Sequence, residues 1–267
     1  MAWVRILAVV AVYLVVALLT SALVSRRGRN LKAMEERSAS AVLVIGALAN
    51  LVVLGVVLLF LVLLDRRPIA ALGLGFAGRD ALFTIVALLL TLGSAAAFIG
   101  LLHRMGRLEA KVKALPEGSL GRLLTLMAVL FVVALQEEVL YRGYVTLNLM
   151  QYGAAVVLLV GTLVFTAIHF PTNRVSPAQV ASWLFGGLIL GWVYLASGSI
   201  WVPVVLHFTI DVTNVLVFGV AGDLALARLS RPLSHMDRVL YRAGHVALTG
   251  AVLLGVYGFR LAARWGG

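Results

Sequence analysis

The sequence predicts an all-α protein, a polytopic membrane protein of eight helices around a polar intramembrane cavity. Three observations predict it. Of the 267 residues, 62% are hydrophobic and only 12% charged, where a soluble domain is about half apolar and about a quarter charged. The apolar residues fall in long runs broken by short basic connections. A few ionisable residues lie inside those runs at regular spacing, and they need a shared polar interior.

A bilayer core of roughly 30 Å needs about 20 apolar residues per helix. The chain shows eight such segments, at 3–24, 41–64, 81–102, 120–141, 153–170, 180–196, 199–220 and 245–263. The first exceeds the apolar stretch of a signal peptide, and Arg26, Arg27 and Arg29 follow it directly. It reads as an uncleaved anchor. The stretches 25–40 and 103–119 are strongly basic and read as interfacial loops on an anionic lipid surface. Residues 221–244 read as a third polar connection. Three regions follow: 1–119 with three membrane helices and basic loops, 120–220 as a core of four further segments, and 221–267 as a polar loop and a last helix.

The formal charge is +11. A nucleic-acid partner does not fit, because the basic residues sit between apolar runs rather than on one soluble face. The positive-inside bias accounts for them. With eight crossings, 15 Lys and Arg fall on one side and 7 on the other, which places both termini outside. The chain has no cysteine, so disulfides, thiolate metal sites and a cysteine nucleophile are excluded.

Only three of the eleven acidic residues, Glu137, Glu138 and Asp211, lie inside apolar segments, with two of the five histidines, His169 and His207. Each such group costs about 2.5–3.5 kcal/mol on insertion scales. That cost argues for a cavity and a task over a merely structural polar network. Glu138 and Arg142 are four apart, share a helix face and can neutralise each other. Glu137 points about 100° away and has no partner on its own helix, which makes it a candidate general base. Phe165 and His169 share a face in the same way, so Phe165 can wall a site where His169 presents its imidazole. His207, Asp211 and Asn214 form one stripe of the seventh segment.

These three stretches, QEEVLYR, FTAIH and HFTID, resemble the EExxxR, FxxxH and HxxxN/D pattern of the CPBP family of intramembrane proteases. That family includes the CAAX prenyl endopeptidases and proteins linked to bacteriocin processing and self-immunity. The resemblance covers residues 120–220. It implies an intramembrane endopeptidase acting on a membrane-embedded or membrane-adjacent peptide, lipidated or prenylated in the family precedent. It implies that Glu137 and His169 activate the attacking water. His207 and Asp211 would stabilise the oxyanion or bind a metal, while Glu138 and Arg142 hold the architecture.

The cofactor expectation is either none or one zinc ion, with Glu137, His169, His207 and Asp211 as candidate ligands and the metal-free route preferred. Two histidines plus carboxylates can hold zinc and leave a position for water. An ionised Asp211 cannot donate to an oxyanion as an Asn would, so it leans towards ligation, towards orienting His207, or towards acting as the acid form. Other protease classes fit worse. There is no HExxH motif, Gly219 to Asp223 lacks GxGD spacing, and Ser197 and Ser199 sit in a turn-like connection rather than a nucleophile elbow. The rival readings are a non-catalytic immunity or scaffold relative and a proton-coupled carrier, for which no repeat symmetry is visible. The composition and absence of cysteine point to a bacterial inner membrane.

Depth poses a geometric condition. Glu137 is 17 residues past Leu120, about 25 Å along a helix, and His169 is about 24 Å past Gly153 on a helix running back. The two meet only if the fourth helix starts below the surface or tilts steeply, or if the fifth begins near Tyr144.

Overall fold

The computed structural model describes residues 2–31, 37–112, 114–170, 175–218, 224–231, 233–259, 261–262 and 265. Part of the first basic loop (32–36) and the Gly219–Asp223 stretch lie outside the described residues. Nine α-helices are present among the described residues: α1 (Ala2–Leu31), α2 (Arg37–Leu59), α3 (Gly78–Arg104), α4 (Leu120–Glu138), α5 (Thr146–Leu149), α6 (Ala154–Ala167), α7 (Pro177–Ser197), α8 (Trp201–Val212) and α9 (His235–Tyr257). Three π-helical turns extend them, Phe60–Leu64 after α2, Val139–Val145 between α4 and α5, and Thr213–Val217 after α8.

Six helical runs are long and apolar enough to cross a membrane: Ala2–Leu23, Val44–Leu64, Gly78–Arg104, Leu120–Tyr152, Pro177–Ser197 and Met236–Tyr257. Two shorter apolar ones, Ala154–Ala167 and Trp201–Val217, complete the set. Their outward faces carry Val4, Leu7, Leu19, Leu48, Val52, Leu63, Ile85 and Leu89, all exposed. In water such a surface would aggregate; in lipid it is the solvated face.

The sequence places the helix boundaries through local chemistry. Ser176 accepts a hydrogen bond from the Gln179 backbone N–H, and Pro177 takes the first helical position of α7, where its missing N–H costs nothing. Gly198 ends that helix at φ 68°, a conformation that side chains resist. Ser234 and Asp237 cap α9 reciprocally. Asp80 accepts from the Ala77 N–H at the start of α3 and from Tyr257 Oη at 2.8 Å, tying α3 to the end of α9.

α4 lies at the centre, against α2 on one side and α8 on the other. α6 pairs with α7, and α9 packs on both α7 and α3. The principal core joins Val57 and Leu61 of α2 and its π-turn to Leu72, Leu140, Tyr141, Tyr144, Phe165 and Tyr194.

Two boundaries differ from the hydropathy reading. The fourth segment does not stop at 141 but runs on to Tyr152. Arg142, Asn148 and Gln151 lower its hydropathy, yet they bond within the fold: Arg142 to Glu138, Asn148 to the Tyr144 carbonyl and Gln151 to the Asn148 carbonyl. The last helix begins at His235, not 245, so half of the polar connection is helix. Arg107 bonds Asp237 at 3.0 Å there and offsets its charge. The basic loop at 103–119 also departs from a simple interfacial stretch. Its Ala110–Val112 strand (β1) pairs antiparallel with Ala227–Leu229 (β2).

A helix continuing to Tyr152 meets the depth condition in a way the hydropathy reading did not list. Glu137 lies 15 residues before Tyr152 and His169 lies 15 residues after Ala154. Both are about 23 Å from the turn at Gly153. They are level. Gly153 makes the reversal at φ 90°.

Gly143 marks the tightest approach of the π-turn. A Cβ there would sit 2.6 Å from Leu72 Cδ2, and Leu72 is 2% exposed. Gly143→Ala should therefore destabilise the protein by about 1–3 kcal/mol through overpacking. Combined with Leu72→Ala, the loss should be smaller than the sum of the two singles. Thermal denaturation in detergent measures both; additive losses would show that the two positions do not press on each other.

Candidate active site

The site is built where α4, α6 and α8 converge. α4 delivers Glu137 and Glu138 in its last turn, and the π-turn that follows delivers Arg142. Such turns insert a residue into an α-helix and recur at functional sites. Glu138 is fully buried and Arg142 is 3% exposed. Arg142 donates to Glu138 Oε1 at 3.0 Å and to the Gly187 carbonyl at 3.3 Å. α7 comes this close because Gly187 has no side chain: a Cβ there would meet Thr162 and Phe165 within 3.3 Å.

Glu138 has a second partner. His207 on α8 places Nδ1 2.7 Å from the same Oε1. A carboxylate only accepts, so this geometry puts the His207 Nδ1 proton on that bond. Nε2 is then the working atom. It lies 3.6 Å from Asp211 Oδ2 and 4.0 Å from Glu137 Oε2. Asp211, one turn along α8, has a quarter of its side chain exposed. It faces the site from the more open end.

His169 follows the C-terminus of α6. Its Nδ1 is 2.6 Å from the Phe165 carbonyl, which can only accept, so Nδ1–H donates there. Its ring lies 4.9 Å from that of Trp183 on α7. Glu137 and His169 are electrostatic neighbours. Phe165 sits between all of these groups. Its ring centre is 4.8 Å from His169, 6.3 Å from His207 and 5.3 Å from Tyr141. The Arg142 guanidinium lies 4.5 Å over it, a cation–π contact that adds to the ion pair without adding charge.

Seven of the eight residues singled out from sequence thus share one site: Glu137, Glu138, Arg142, Phe165, His169, His207 and Asp211. Asn214 does not join them. It lies on the π-turn after α8, where the helical register changes, and no hydrogen bond or ion pair joins it to the others among the described residues. Among those residues, no three His, Asp or Glu side chains form a group able to hold a metal ion.

Several site residues escaped the sequence reading. Trp183 carried no signal beyond being aromatic. Arg242 is an electrostatic neighbour of Asp211, but hydropathy puts it in the polar connection 221–244, because α9 starts earlier than that scale suggests. Gln136, beside Glu137, is fully buried with neither amide atom bonded among the described residues. Its position in an apolar run was the available signal.

Residues 119–213 match the family model described as type II CAAX prenyl endopeptidase Rce1-like. This is a protease family, the one that the three motifs resemble, and the match spans α4 to α8 and all seven assembled residues. No curated protein matches the chain.

The shared Glu138 oxygen generates a prediction. Glu138→Ala should cost about 3–5 kcal/mol, because it strands the buried Arg142 charge, and Arg142→Ala should cost less, because His207 still bonds Glu138. The double substitution should cost less than the sum. Glu138→Ala should also be the worse of the two, since it releases His207 as well. Thermal stability in detergent decides this; additive losses would refute the pairing.

Proposed function

We propose that the protein is an intramembrane endopeptidase that hydrolyses a peptide bond in a membrane-associated, lipidated or prenylated peptide, without a metal. The observation that supports this reading is the meeting of Glu137, His169, His207 and Asp211 at one level of the bundle. Four ionisable groups at that depth cost too much to serve packing alone. The composition favours a bacterial inner membrane as the location.

The chemistry follows from the donors and acceptors. A water between Glu137 and His169 attacks the scissile carbonyl carbon, and Glu137 accepts its proton. The carbonyl π electrons move to oxygen. His207 carrying a proton on Nε2 donates to that oxyanion, while Glu138 holds Nδ1 and Asp211 offsets the imidazolium charge. The C–N bond then breaks, and the proton held by Glu137 passes to the leaving amine. The products are one carboxylic acid and one amine. Phe165 excludes bulk water from this exchange and fixes both rings. No step is routed through zinc.

Glu137→Ala should abolish cleavage of a membrane-anchored reporter peptide while leaving expression near normal. Activity within about threefold of wild type would remove Glu137 from the mechanism.

Asp211 separates the two cofactor expectations. In the metal-free reaction Asp211→Asn stays active, because its amide donates to the oxyanion, and Asp211→Ala does not. An oxyanion donor is worth about 2.7–4 kcal/mol, so the two variants should differ by orders of magnitude. Strong chelators should leave the wild type active. One zinc per chain by elemental analysis, lost with activity in Asp211→Asn, would overturn the metal-free reading.

A further inference from the structure

The Nδ1 of His169 bonds the Phe165 carbonyl at 2.6 Å. A hydrogen bond at one atom anchors the ring but does not by itself set its plane. Two aromatic side chains bear on that plane. The Phe165 ring centre is 4.8 Å from the imidazole and inclined to it at 60°. The Trp183 ring centre is 4.9 Å away and inclined at 32°. The indole is therefore the nearer of the two to parallel, and it offers the larger flat face.

The pairing of α6 with α7 brings the indole there. Gly187 stands against Phe165: a Cβ on Gly187 would meet Phe165 Cδ1 at 3.3 Å and Thr162 Cγ2 at 3.0 Å. The two helices run in opposite directions. One turn on from Phe165 is His169, and one turn back from Gly187 is Trp183. Residues four apart share a face, so the close approach at Gly187 is followed, one turn along, by the contact of Trp183 with His169. The missing side chain that lets Arg142 reach the Gly187 carbonyl thus also brings the indole to the imidazole. Trp183 is supported from behind, where it packs against the principal core cluster.

We propose that Trp183 is the positioning residue of His169, its indole face holding the imidazole plane so that Nε2 stays directed at the water beside Glu137. The inference rests on the reading of His169 as a water-activating group. An imidazole anchored at Nδ1 alone would sweep Nε2 through an arc as the ring rocks. A misplacement of about 1 Å at such an atom is enough to slow a reaction severely. Trp183 does this without bringing another charge into the bilayer.

The test uses the purified full-length chain in detergent, with a membrane-anchored reporter peptide. Trp183→Leu and Trp183→Met keep an apolar side chain and remove the flat face. Each should lower kcat about tenfold with KM unchanged. Trp183→Phe restores a flat face and should recover kcat to within about threefold of wild type. Trp192→Leu is the control. It removes an indole from the same helix, but one that packs against the separate cluster of Phe83, Leu190 and Leu253, and its kcat should match wild type. A kcat within about twofold of wild type for Trp183→Met, or equal losses in Trp183→Met and Trp183→Phe, would overturn the proposal.

A second measurement does not depend on cleavage. Carbethoxylation of His169 by diethylpyrocarbonate, read by peptide mass spectrometry, should be faster in Trp183→Met than in wild type and should return to the wild-type rate in Trp183→Phe. His207 should be labelled at the wild-type rate in both. An unchanged rate at His169 overturns the positioning role, and so does equal acceleration at both histidines, which would mean general loosening. If the wild type cleaves no peptide, the protease reading falls, and the labelling rates alone decide whether Trp183 holds His169.

Discussion

One oxygen atom organises this protein. Glu138 Oε1 receives the Arg142 guanidinium at 3.0 Å and the His207 imidazole at 2.7 Å. In lipid a carboxylate without partners would be ejected or neutralised. Here it is compensated twice, from its own helix and from α8. The first contact is local and forms with the helix. The second joins residues 69 apart in sequence and forms only when α8 docks on α4. Arg142 carries the constraint further, through the Gly187 carbonyl to α7 and over the Phe165 ring to α6. Four helices are therefore registered against one buried charge.

The same arrangement separates two glutamates that are neighbours in sequence. Glu138 points into the bundle, where Arg142 and His207 both bond its Oε1, while Oε2 has no hydrogen-bond partner among the described residues. Glu137 points about a quarter-turn away, where the His207 Nε2 stands 4.0 Å from its carboxylate. Adjacent residues of one type thus acquire different duties from direction alone. The long run from Leu120 to Tyr152 sets the height of that second direction, since a helix ending at 141 would leave Glu137 and His169 on different levels.

What the sequence revealed followed from spacing. The i,i+4 relation of Glu138 to Arg142, of Phe165 to His169 and of His207 to Asp211 is a property of any helix, so the groups of each helix could be listed before the helices were assembled. What it hid were contacts between helices. Nothing in the spacing joins His207 to Glu138, or brings Gly187 against Phe165. The hidden helix ends have the same origin. Arg142, Asn148 and Asp237 depress hydropathy, yet each is paired inside the fold. A scale that charges every polar residue its full transfer cost cannot see a partner supplied from elsewhere, and so it cuts the Leu120–Tyr152 run short and starts α9 late.

The two helices that present the histidines are also the short ones. α6 has 14 residues and the α8 run, Trp201–Val217, has 17. At 1.5 Å per residue they reach about 21 and 26 Å, less than the roughly 30 Å of a hydrocarbon core. Hydrophobic mismatch of this sign is relieved by thinning of the adjacent bilayer. By that rule a bilayer around this protein would thin beside α6 and α8 rather than beside the longer α2 and α3. A segment lying in the interface would then descend less far to reach the imidazoles. Access to the site would depend on the thickness of the host membrane, because the two helices that carry the histidines fall short of spanning it.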